Sequence, residues 1–530
     1  MKRVRKLLSI MLIFVSMFIF SGIVSAKSPG NDGYISVKTN EDEFYLYKKD
    51  SPTSASSNLS YDSNENRILL KNYEGSLSIK VYNMGDLNIR IEGNNKISNE
   101  SALLSNESND NTNFYIDGQG SIILNNSQFI YFESENTFTQ IKNISLEAKS
   151  DLSWPYIITS NGDVGIENVN FNFALDGKYS VGIYGKNVKI KDSNISGYTC
   201  NRFIGSNISL EINDSVINYS AGLISAGNTF NLNNSKLNYN YDSNKDVYYQ
   251  SEYAAILAGE NFNITSSDIK IDNAKQIGII TNKLITDSKS NIDILNSGIG
   301  IYAIKELENN SKLNISDTLI GMLGQKLNLK SNEVIIKGAV MGITTSYELS
   351  EDEEYSFNIN GDLLEINITK NEEKINALEE VLNNLGHMGL NRDIWALPST
   401  IGFYISESDK PILKLSDDMI MEGGKIYSSK TDYYGDPMYV HYIGTKQLTF
   451  NFDADDDPFL ELYKDAPTKL VIRNKNYNPN KNNNVNNETK KDEIVENPKT
   501  GDINIYIVGS LIIFSMALIK ISTKKLKKNK

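Results

Sequence analysis

Three stretches near the middle of the chain, VKIKDSNI (188–195), LEINDSVI (210–217) and FNLNNSKL (230–237), share one pattern. Each has two apolar residues two positions apart, a small residue three positions later, and another apolar residue two positions after that. This alternation has a period of two residues, which predicts β-strands rather than helices. The strands return at a near-constant step with no helical pattern between them, which excludes an α/β fold.

Eight copies of the pattern span residues 164–334. The second apolar residue of each copy is Ile166, Ile190, Ile212, Leu232, Ile264, Ile294, Ile315 or Leu329. Most steps between them are 20–32 residues, the size of one coil of a solenoid. The long steps after Leu232 and Ile264 predict side loops. The last step of 14 residues is short for a coil and makes the register at Leu329 doubtful.

Two all-β folds contain many short strands, a sandwich and a parallel β-helix. A sandwich needs varied hairpins with Asn-Gly or Asp-Gly turns, whereas here the same residue type returns at the same place in each step. Such residues would stack into a continuous apolar core with Asn and Ser ladders beside it. Because crossovers between parallel strands are nearly always right-handed, we predict a right-handed parallel β-helix over residues 27–345.

The C-terminal third departs from the repeat and predicts a small mixed cap over residues 346–467. Asn371 is placed to cap a helix over residues 372–385, packed on the end of the solenoid or, alternatively, exposed for a partner. Strands between Gly402 and Phe452 would cover the open end of the solenoid. Residues 468–496 are rich in Asn and Lys with few large apolar residues, which predicts a disordered linker.

Both ends of the chain carry targeting patterns. Residues 1–26 combine four early basic residues, an apolar run and small residues ending at Ala26; this predicts a secretory signal peptide, with an uncleaved anchor as the alternative. Near the other end, an apolar run over residues 503–519 precedes a lysine-rich tail. That order predicts a membrane span with its end in the cytoplasm. Directly before it stand Asn497, Pro498, Lys499, Thr500 and Gly501.

Residues 497–530 resemble the sorting signal of sortase substrates in Gram-positive bacteria. The resemblance implies that a sortase cysteine attacks the carbonyl of Thr500, the bond to Gly501 breaks, and Thr500 is joined to the peptidoglycan cross-bridge. Pro498, whose φ is fixed, would bend the signal into the enzyme groove. The family pattern usually opens with Leu, and Asn497 stands there, which leaves the sortase class open. Cell-wall localisation is therefore expected, with a retained membrane span as the alternative.

A second resemblance covers roughly residues 55–345. With the repeat, the stretches MGDLNIRIEGNN (84–95) and DGQGSI (117–122) resemble clostridial-type Firmicutes surface proteins with a pectate-lyase-like β-helix. Some proteins of that group are described as carbohydrate-binding. The resemblance implies a surface protein that binds glycans.

Charge and cysteine content narrow the classes of function. The formal net charge is −13; residues 1–26 contribute +4 and the residues after Thr500 contribute +5, so residues 27–500 carry −22. Such an acidic surface argues against nucleic acid and anionic membranes as partners. Cys200 is the single cysteine, so no intramolecular disulfide can form, and it is expected to be a small buried residue.

No compact catalytic set is visible. The two histidines, His387 and His441, lie outside the repeat, and no cofactor is predicted. The acidic residues of the repeat are scattered along it. They would suit calcium as a ligand, and solvated turns explain them equally well. They are Asp192, Asp214, Asp268, Asp272, Asp293 and Asp317. The densest acidic cluster, a weak calcium candidate or a solvated loop, is Asp453, Asp455, Asp456 and Asp457.

Tyrosines of the first side loop form the candidate ligand surface, because aromatic rings can stack on sugars; packing within the loop explains them equally well. They are Tyr239, Tyr241, Tyr248, Tyr249 and Tyr253. We therefore expect a non-catalytic adhesin for a polysaccharide or host surface ligand. A wall-tethered polysaccharide lyase or glycoside hydrolase, which would need converging carboxylates, and a scaffold without a specific ligand remain the alternatives.

Overall fold

The computed structural model describes most of the chain from residue 29 to residue 478. The described ranges are 29–51, 53–98, 101–245, 253–331, 333–344, 356–371, 373–374, 377, 401–406, 413–433, 436–449 and 465–478. Within them the chain is nearly all β and forms a parallel β-solenoid of about 11 coils. The predicted fold class is thereby confirmed.

The described residues contain 41 strands. The first fourteen are β1 (Tyr34–Lys38), β2 (Glu43–Lys48), β3 (Leu59–Asp62), β4 (Arg67–Lys71), β5 (Glu74–Gly75), β6 (Ser78–Tyr82), β7 (Asp86–Glu92), β8 (Asn94–Ser98), β9 (Ala102–Asn106), β10 (Asn113–Gly118), β11 (Ser121–Asn125), β12 (Gln128–Phe132), β13 (Phe138–Lys142) and β14 (Ser145–Ser150). The next fourteen are β15 (Tyr156–Ser160), β16 (Asp163–Glu167), β17 (Asn170–Leu175), β18 (Val181–Lys191), β19 (Asn194–Thr199), β20 (Arg202–Asn213), β21 (Val216–Tyr219), β22 (Leu223–Ala226), β23 (Thr229–Asn233), β24 (Lys236–Asn240), β25 (Ala254–Thr265), β26 (Asp268–Asp272), β27 (Ile277–Thr286) and β28 (Asn291–Leu295). The last thirteen are β29 (Ile299–Asn309), β30 (Lys312–Ser316), β31 (Ile320–Leu329), β32 (Val334–Ala339), β33 (Met341–Thr344), β34 (Ser356–Ile359), β35 (Leu363–Ile368), β36 (Ile401–Ser406), β37 (Leu413–Leu415), β38 (Met419–Glu422), β39 (Lys425–Tyr433), β40 (Asp436–Gly444) and β41 (Lys469–Asn474).

Each coil crosses three faces in a fixed order, here called face 1, face 2 and face 3. In the coil that begins at Val181, β18 supplies faces 1 and 2, and a register shift between Gly185 and Asn187 marks the bend between them. Strand β19 supplies face 3. Equivalent residues of successive coils pair in parallel on all three faces: Ile183 with Ile204, Val188 with Leu210, and Ile195 with Ile217.

Inward side chains stack into one core that runs from Ile35 to Ile472. Because equivalent residues lie one strand spacing apart, like side chains meet; Phe230 and Phe262 stack with ring centroids 4.5 Å apart and planes 7° apart. Each fully buried apolar side chain of this kind contributes roughly 1.5–3 kcal/mol. The regular stack of such residues holds the coils together.

The corners between faces use residues in the left-handed conformation. At the corner between faces 2 and 3, Asp192, Asp214 and Asn234 have φ of 49°, 49° and 45°; at the corner after face 3, Asn296 and Asp317 have φ of 51° and 55°. Asp and Asn tolerate this conformation better than other non-glycine residues. The Asn and Asp content of the chain therefore has an architectural cause at these positions.

Two copies of the sequence repeat lie on different faces from the other copies, because the two kinds of corner carry similar residues. The copies at 292–299 and 313–320 begin on face 3, in β28 and β30, whereas the other copies begin on face 2. Leu329 is in register on face 2, since its neighbour Leu327 pairs with Leu307 and Phe357. The doubt about Leu329 and the second predicted side loop were therefore wrong, because both followed from treating all copies as lying on one face.

Antiparallel strands cover the first coil. Strand β1 pairs antiparallel with β2 and with β6, and β3 pairs antiparallel with β4. At the other end the solenoid continues past the predicted boundary at residue 345. Strands β33, β34 and β35 add a further coil in parallel register, with Phe357, Leu364 and Ile366 buried.

Part of the predicted linker is folded. Strand β41 lies within residues 468–496 and pairs antiparallel with β35 and β38. Leu470 and Ile472 are fully buried, because these two alternating apolar residues complete the sheet edge that β35 leaves open. The predicted start of the linker at residue 468 is therefore too early. Residues 479–496 lie outside the described residues.

The predicted strands of the C-terminal cap include β36, β39 and β40, of which β40 pairs antiparallel with both others. The predicted helix start also has its capping contact: Asn371 Oδ1 accepts hydrogen bonds from the backbone N–H of Glu373 (2.9 Å) and of Lys374 (3.3 Å). Nearly all of residues 375–385 lie outside the described residues, so the helix itself stays a prediction.

Candidate functional site

An exposed stack of aromatic rings lies at the corner between face 3 and face 1. The indole of Trp154 is 55% exposed and stacks on Tyr179 of the next coil, with centroids 3.8 Å apart and planes 17° apart. Tyr156 meets the same indole edge-on at 6.3 Å and 76°. An indole that stacks on a neighbouring ring and is still 55% exposed offers its remaining surface to a ligand.

The backbone of two successive corners fixes this stack. Tyr179 N–H donates to Ser153 O at 3.0 Å, and Val181 N–H donates to Pro155 O at 2.9 Å. Gly177 allows the close approach, since a Cβ there would lie 1.8 Å from Leu152 O. The two corners therefore lie directly on one another, and Tyr179 is placed on the indole of the preceding coil.

The aromatic surface continues on the outer side of face 1. Tyr131 pairs with Thr159, which pairs with Tyr184; the residues just before them, including Ile158, are fully buried in the core, so these three point outward. Tyr131 is 38% exposed. We define the aromatic face as Tyr131, Trp154, Tyr156, Tyr179 and Tyr184.

Two cations border the aromatic face. Lys178 Nζ lies 5.4 Å from the ring centroid of Tyr179, and the guanidinium carbon of Arg202 lies 4.8 Å from that of Tyr184. Partial burial, and secondarily Tyr131, raise the pKa of Tyr156 above its ordinary value. Tyr156 is therefore a neutral hydrogen-bonding group at physiological pH.

The outer side of face 1 changes character along the solenoid. In the later coils it carries aliphatic residues and one tyrosine that form a second apolar cluster, separate from the core. Ile280 and Tyr302 are 4% exposed, and Leu323 is fully buried. Lys374 Nζ donates to Gly338 O at 3.1 Å beside this cluster. Among the described residues, the outer side of face 1 is thus exposed in the earlier coils, which carry the aromatic face, and buried in the later coils.

The predicted tyrosine-rich loop is only partly a surface feature. Tyr239 is 3% exposed, and its ring lies 4.8 Å from that of Tyr219. It is a core residue and takes no part in an exposed surface. Tyr241 is half-buried and its hydroxyl donates to Lys245 O at 2.9 Å, and Tyr253 is half-buried. Tyr248 and Tyr249 lie outside the described residues.

The start of this loop is attached close to the aromatic face. Lys245 Nζ lies 2.9 Å from Asp176 Oδ1 and 3.9 Å from the ring centroid of Tyr198, while Tyr198 O–H donates to Asp176 Oδ2 at 2.9 Å. Hydrogen bonds to Tyr198 and Asp176 raise the pKa of Lys245 well above its ordinary value. Asp176 directly precedes Gly177, so this ion pair adjoins the Trp154–Tyr179 corner.

The scattered aspartates of the repeat are each engaged by a neighbouring coil or residue rather than gathered. Amide Nδ2 groups donate to three of them at 2.8–2.9 Å: Asn291 to Asp268, Asn296 to Asp272, and Asn314 to Asp293. Asn234 donates to Asp214, Lys191 pairs with Asp192 at 3.2 Å, and Lys374 with Asp317 at 3.6 Å. Within the described ranges no three His, Cys, Asp or Glu side chains are grouped to hold a metal ion. The cluster Asp453, Asp455, Asp456 and Asp457 lies outside those ranges.

Two grooves open on the described surface of the solenoid. One of about 590 Å³ is lined mainly by Asn, Ser, Gly and Gln, with Arg90 as its one charged side chain. The other, of about 470 Å³, contains two glutamates. Of these, Glu306 pairs with Lys283 at 2.7 Å, and Glu260 accepts from Asn282 at 3.2 Å. Neither groove brings two free carboxylates together.

His441 and Cys200, the other chemically reactive candidates, have structural surroundings. His441 is fully buried, and its Nδ1 lies 2.7 Å from Ser428 Oγ; the two residues oppose each other in the β39–β40 pair, so hairpin register alone explains their contact. Cys200 is buried, as expected, and its Sγ donates to Leu175 O at 3.5 Å. His387 lies outside the described residues.

Residues 1–26 and the sorting pattern from Asn497 to Gly501 lie outside the described residues, as does the apolar run 503–519. In the described part of the chain, no helix has the length and hydropathy to cross a membrane. Comparisons with protein-family models, with curated proteins and with solved structures find no match.

Sequence reasoning missed Trp154 because it occurs in one coil only and its stacking partner lies a whole coil away. A signal was present in the order Trp154-Pro155-Tyr156. This is the single tryptophan of the predicted solenoid, and it stands next to a turn-forming proline. An aromatic residue of this size at a corner is directed to the surface, because the core of each coil is already filled by its strands.

Proposed function

We propose that this chain is a pectate-lyase-like surface protein of a Gram-positive bacterium that is anchored to the cell wall and binds glycans through the aromatic face. The observation that carries the binding proposal is the exposed stack of Trp154 on Tyr179. Sugar rings present an apolar C–H surface, and a flat aromatic platform of two or more rings matches it in shape and polarity. Coils stack at a spacing of about 4.8 Å, so rings from successive coils form a track along which a chain of sugars can lie.

Binding is favoured over catalysis by the arrangement of charges. Retaining and inverting glycosidases need two carboxylates about 5–9.5 Å apart on either side of the scissile bond. The two glutamates of the second groove are each engaged, Glu306 by Lys283 and Glu260 by Asn282. The aromatic face itself is bordered by Lys178 and Arg202. A surface of rings and cations suits recognition of a glycan rather than cleavage of one.

The binding proposal is tested with residues 27–500 on a glycan array, followed by titration of each glycan that binds and analysis for cleavage products. Trp154→Ala should lower affinity by about tenfold or more, equivalent to about 1.4 kcal/mol or more. The matched control is Phe138→Ala, since Phe138 is 36% exposed on face 2. Equal losses in both variants, absence of any glycan ligand, or release of shortened oligosaccharides would each contradict the proposal.

The anchoring proposal rests on the order of residues 497–530 and is tested separately. In the producing bacterium, Thr500→Ala should move the protein from the cell-wall fraction to the membrane and culture medium. Thr468→Ala, which changes a threonine outside the motif, should leave it in the wall fraction. If the Thr500 variant stays covalently attached to peptidoglycan, the proposed attachment point is wrong.

A further inference from the structure

One arginine of the described chain has no acidic partner. Arg67, Arg90 and Arg473 each form an ion pair with a carboxylate. Within the described ranges the side chain of Arg202 has neither an ion pair nor a hydrogen bond, and its Nε is buried without a partner. A buried donor left unpaired lowers stability, and more so when it belongs to a charged group. In so acidic a chain, an arginine without an acidic partner is a candidate binding site for an anionic ligand.

The surroundings hold Arg202 in place without satisfying its donors. Its side chain lies across Gly205, where a Cβ would be 2.1 Å from the arginine Cδ. Its guanidinium lies over the ring of Tyr184, whose hydroxyl is engaged by Asn207 Oδ1. Stacking of this kind fixes the plane of the guanidinium. Its Nε is buried, and the four N–H donors of its two terminal nitrogens remain available at the edge. The geometry is that of a preorganised fork for a planar or tetrahedral anion.

Arg202 belongs to the same surface as the aromatic face. Tyr156 pairs with Val181, and Val181 pairs with Arg202, all at the start of face 1. Two strand spacings, about 10 Å, therefore separate Tyr156 from Arg202, which is comparable with the length of a disaccharide. A sugar stacked on the rings of Trp154 and Tyr156 would place a neighbouring unit beside the guanidinium.

A second orphan polar group lies in the same outer row. Thr159 pairs with Tyr184 on the side away from Gly205, and its buried hydroxyl also has no partner. Both unsatisfied groups thus flank Tyr184. The row around Tyr184 therefore contains two polar groups that the described residues leave unsatisfied.

We propose that Arg202 is an anion subsite of the aromatic face and binds a carboxylate or sulfate group on the glycan. This inference rests on the proposed glycan binding. Residues 27–500 carry a net charge of −22, so an acidic glycan is repelled by the chain as a whole. Local cations at the binding surface are then needed to reverse that repulsion, and the bidentate fork of an arginine supplies the strongest such contact.

The test compares three ligands on the same oligosaccharide backbone by calorimetric titration: a neutral glucose oligomer, its glucuronate counterpart and its 6-sulfated counterpart. The wild-type chain should bind at least one acidic form about tenfold more tightly than the neutral form, and the preference should shrink as salt increases. Arg202→Gln should lower the affinity for the acidic forms to that for the neutral form or below, and so abolish the preference. Arg202→Lys should retain part of it, since a lysine keeps the charge without the fork.

Two further outcomes separate this inference from the proposed function. If Trp154→Ala weakens binding of all three ligands while Arg202→Gln changes none, the glycan-binding proposal stands and the anion subsite is wrong. If Arg202→Gln weakens neutral and acidic ligands equally, Arg202 only supports Tyr184, and the subsite is again wrong. Thermal unfolding of each variant must match that of the wild-type chain, and Arg202→Lys, which preserves the side-chain stem, serves where Arg202→Gln does not fold.

Discussion

The rings of Trp154 and Tyr179 stack 3.8 Å apart, although they lie 25 positions apart in the sequence. That separation is one coil of the solenoid, so the contact exists only because the two corners are superimposed. Neither residue belongs to the repeating apolar pattern. The candidate binding surface is therefore a product of the coil geometry acting on side chains that differ from coil to coil.

Gly177 is the residue on which this stacking depends most directly. In a Gly177→Ala variant, the new Cβ would meet Leu152 O at 1.8 Å and Pro155 Cδ at 2.5 Å, so one corner must move. We expect a loss of about 1–3 kcal/mol in the free energy of unfolding, together with loss of the Trp154 near-ultraviolet dichroism and of glycan affinity. The matched control is Gly165→Ala, whose Cβ meets only the flexible end of Gln140. Retention of the dichroic signal in Gly177→Ala would show that the stack does not need the close approach.

The corner residue Asn234 gives a test of the left-handed conformation. Its φ is 45°, a conformation that costs a residue with a β-carbon roughly 1–2 kcal/mol and glycine almost nothing. Asn234→Ala and Asn234→Gly both remove the hydrogen bond to Asp214. The glycine variant should therefore be the more stable of the two in denaturant unfolding. An alanine variant as stable as the glycine variant would mean that backbone conformation does not govern this corner.

The same corner shows how far the sequence could predict the fold. Period-two alternation and a near-constant step were enough for a parallel β-helix. They were not enough to show at which corner each copy of the repeat lies. Asp214-Ser215 at one corner and Asn296-Ser297 at the other present similar residues in the same order. Only the pairing of strands, such as Leu307 with Leu327, separates the two corners.

Tyr239 shows a prediction that the local pattern could have corrected. It lies two positions after Leu237 in β24, and alternate residues of a strand share a side of the sheet. Because Leu237 faces the core, Tyr239 must do so too. By contrast, the stacking of Trp154 on Tyr179 could not be predicted, since it depends on which residues of neighbouring coils become superimposed. The strand at Leu470 was missed because two alternating apolar residues are too short a signal within an Asn-rich stretch.

The serine ladder beside the core should contribute measurably to stability. Ser215 Oγ donates to Asn213 O at 2.6 Å and accepts from the backbone N–H of Ser193 at 3.1 Å. Ser215→Ala leaves that buried N–H without a partner, which costs about 1–3 kcal/mol. The midpoint of denaturant unfolding should fall accordingly, while the exposed control Ser153→Ala should leave it unchanged. An unaltered midpoint in Ser215→Ala would indicate that water replaces the hydroxyl.

The ion pair of Lys245 with Asp176 predicts a stability effect with a defined pH dependence. Hydrogen bonds to Tyr198 and Asp176 raise the pKa of Lys245 in the folded chain. The charged lysine therefore stabilises the fold fully below its unfolded pKa of about 10.4, and this contribution is lost as the pH rises through the higher folded value. Lys245→Met should thus lower the melting temperature at pH 8, where the expected loss is about 0.5–1 kcal/mol.

The difference between the wild-type chain and Lys245→Met should then shrink at pH 11 and above. Burial also raises the pKa of Tyr198, so Tyr198→Phe shows whether the tyrosine or the lysine is the group that titrates. The matched control is Lys289→Met, an exposed lysine of the solenoid, which should have the same melting temperature as the wild type at pH 8. A difference for Lys245→Met that stays constant from pH 8 to pH 11 would mean that the methylene stem, rather than the charge, attaches the tyrosine-rich loop beside the aromatic face.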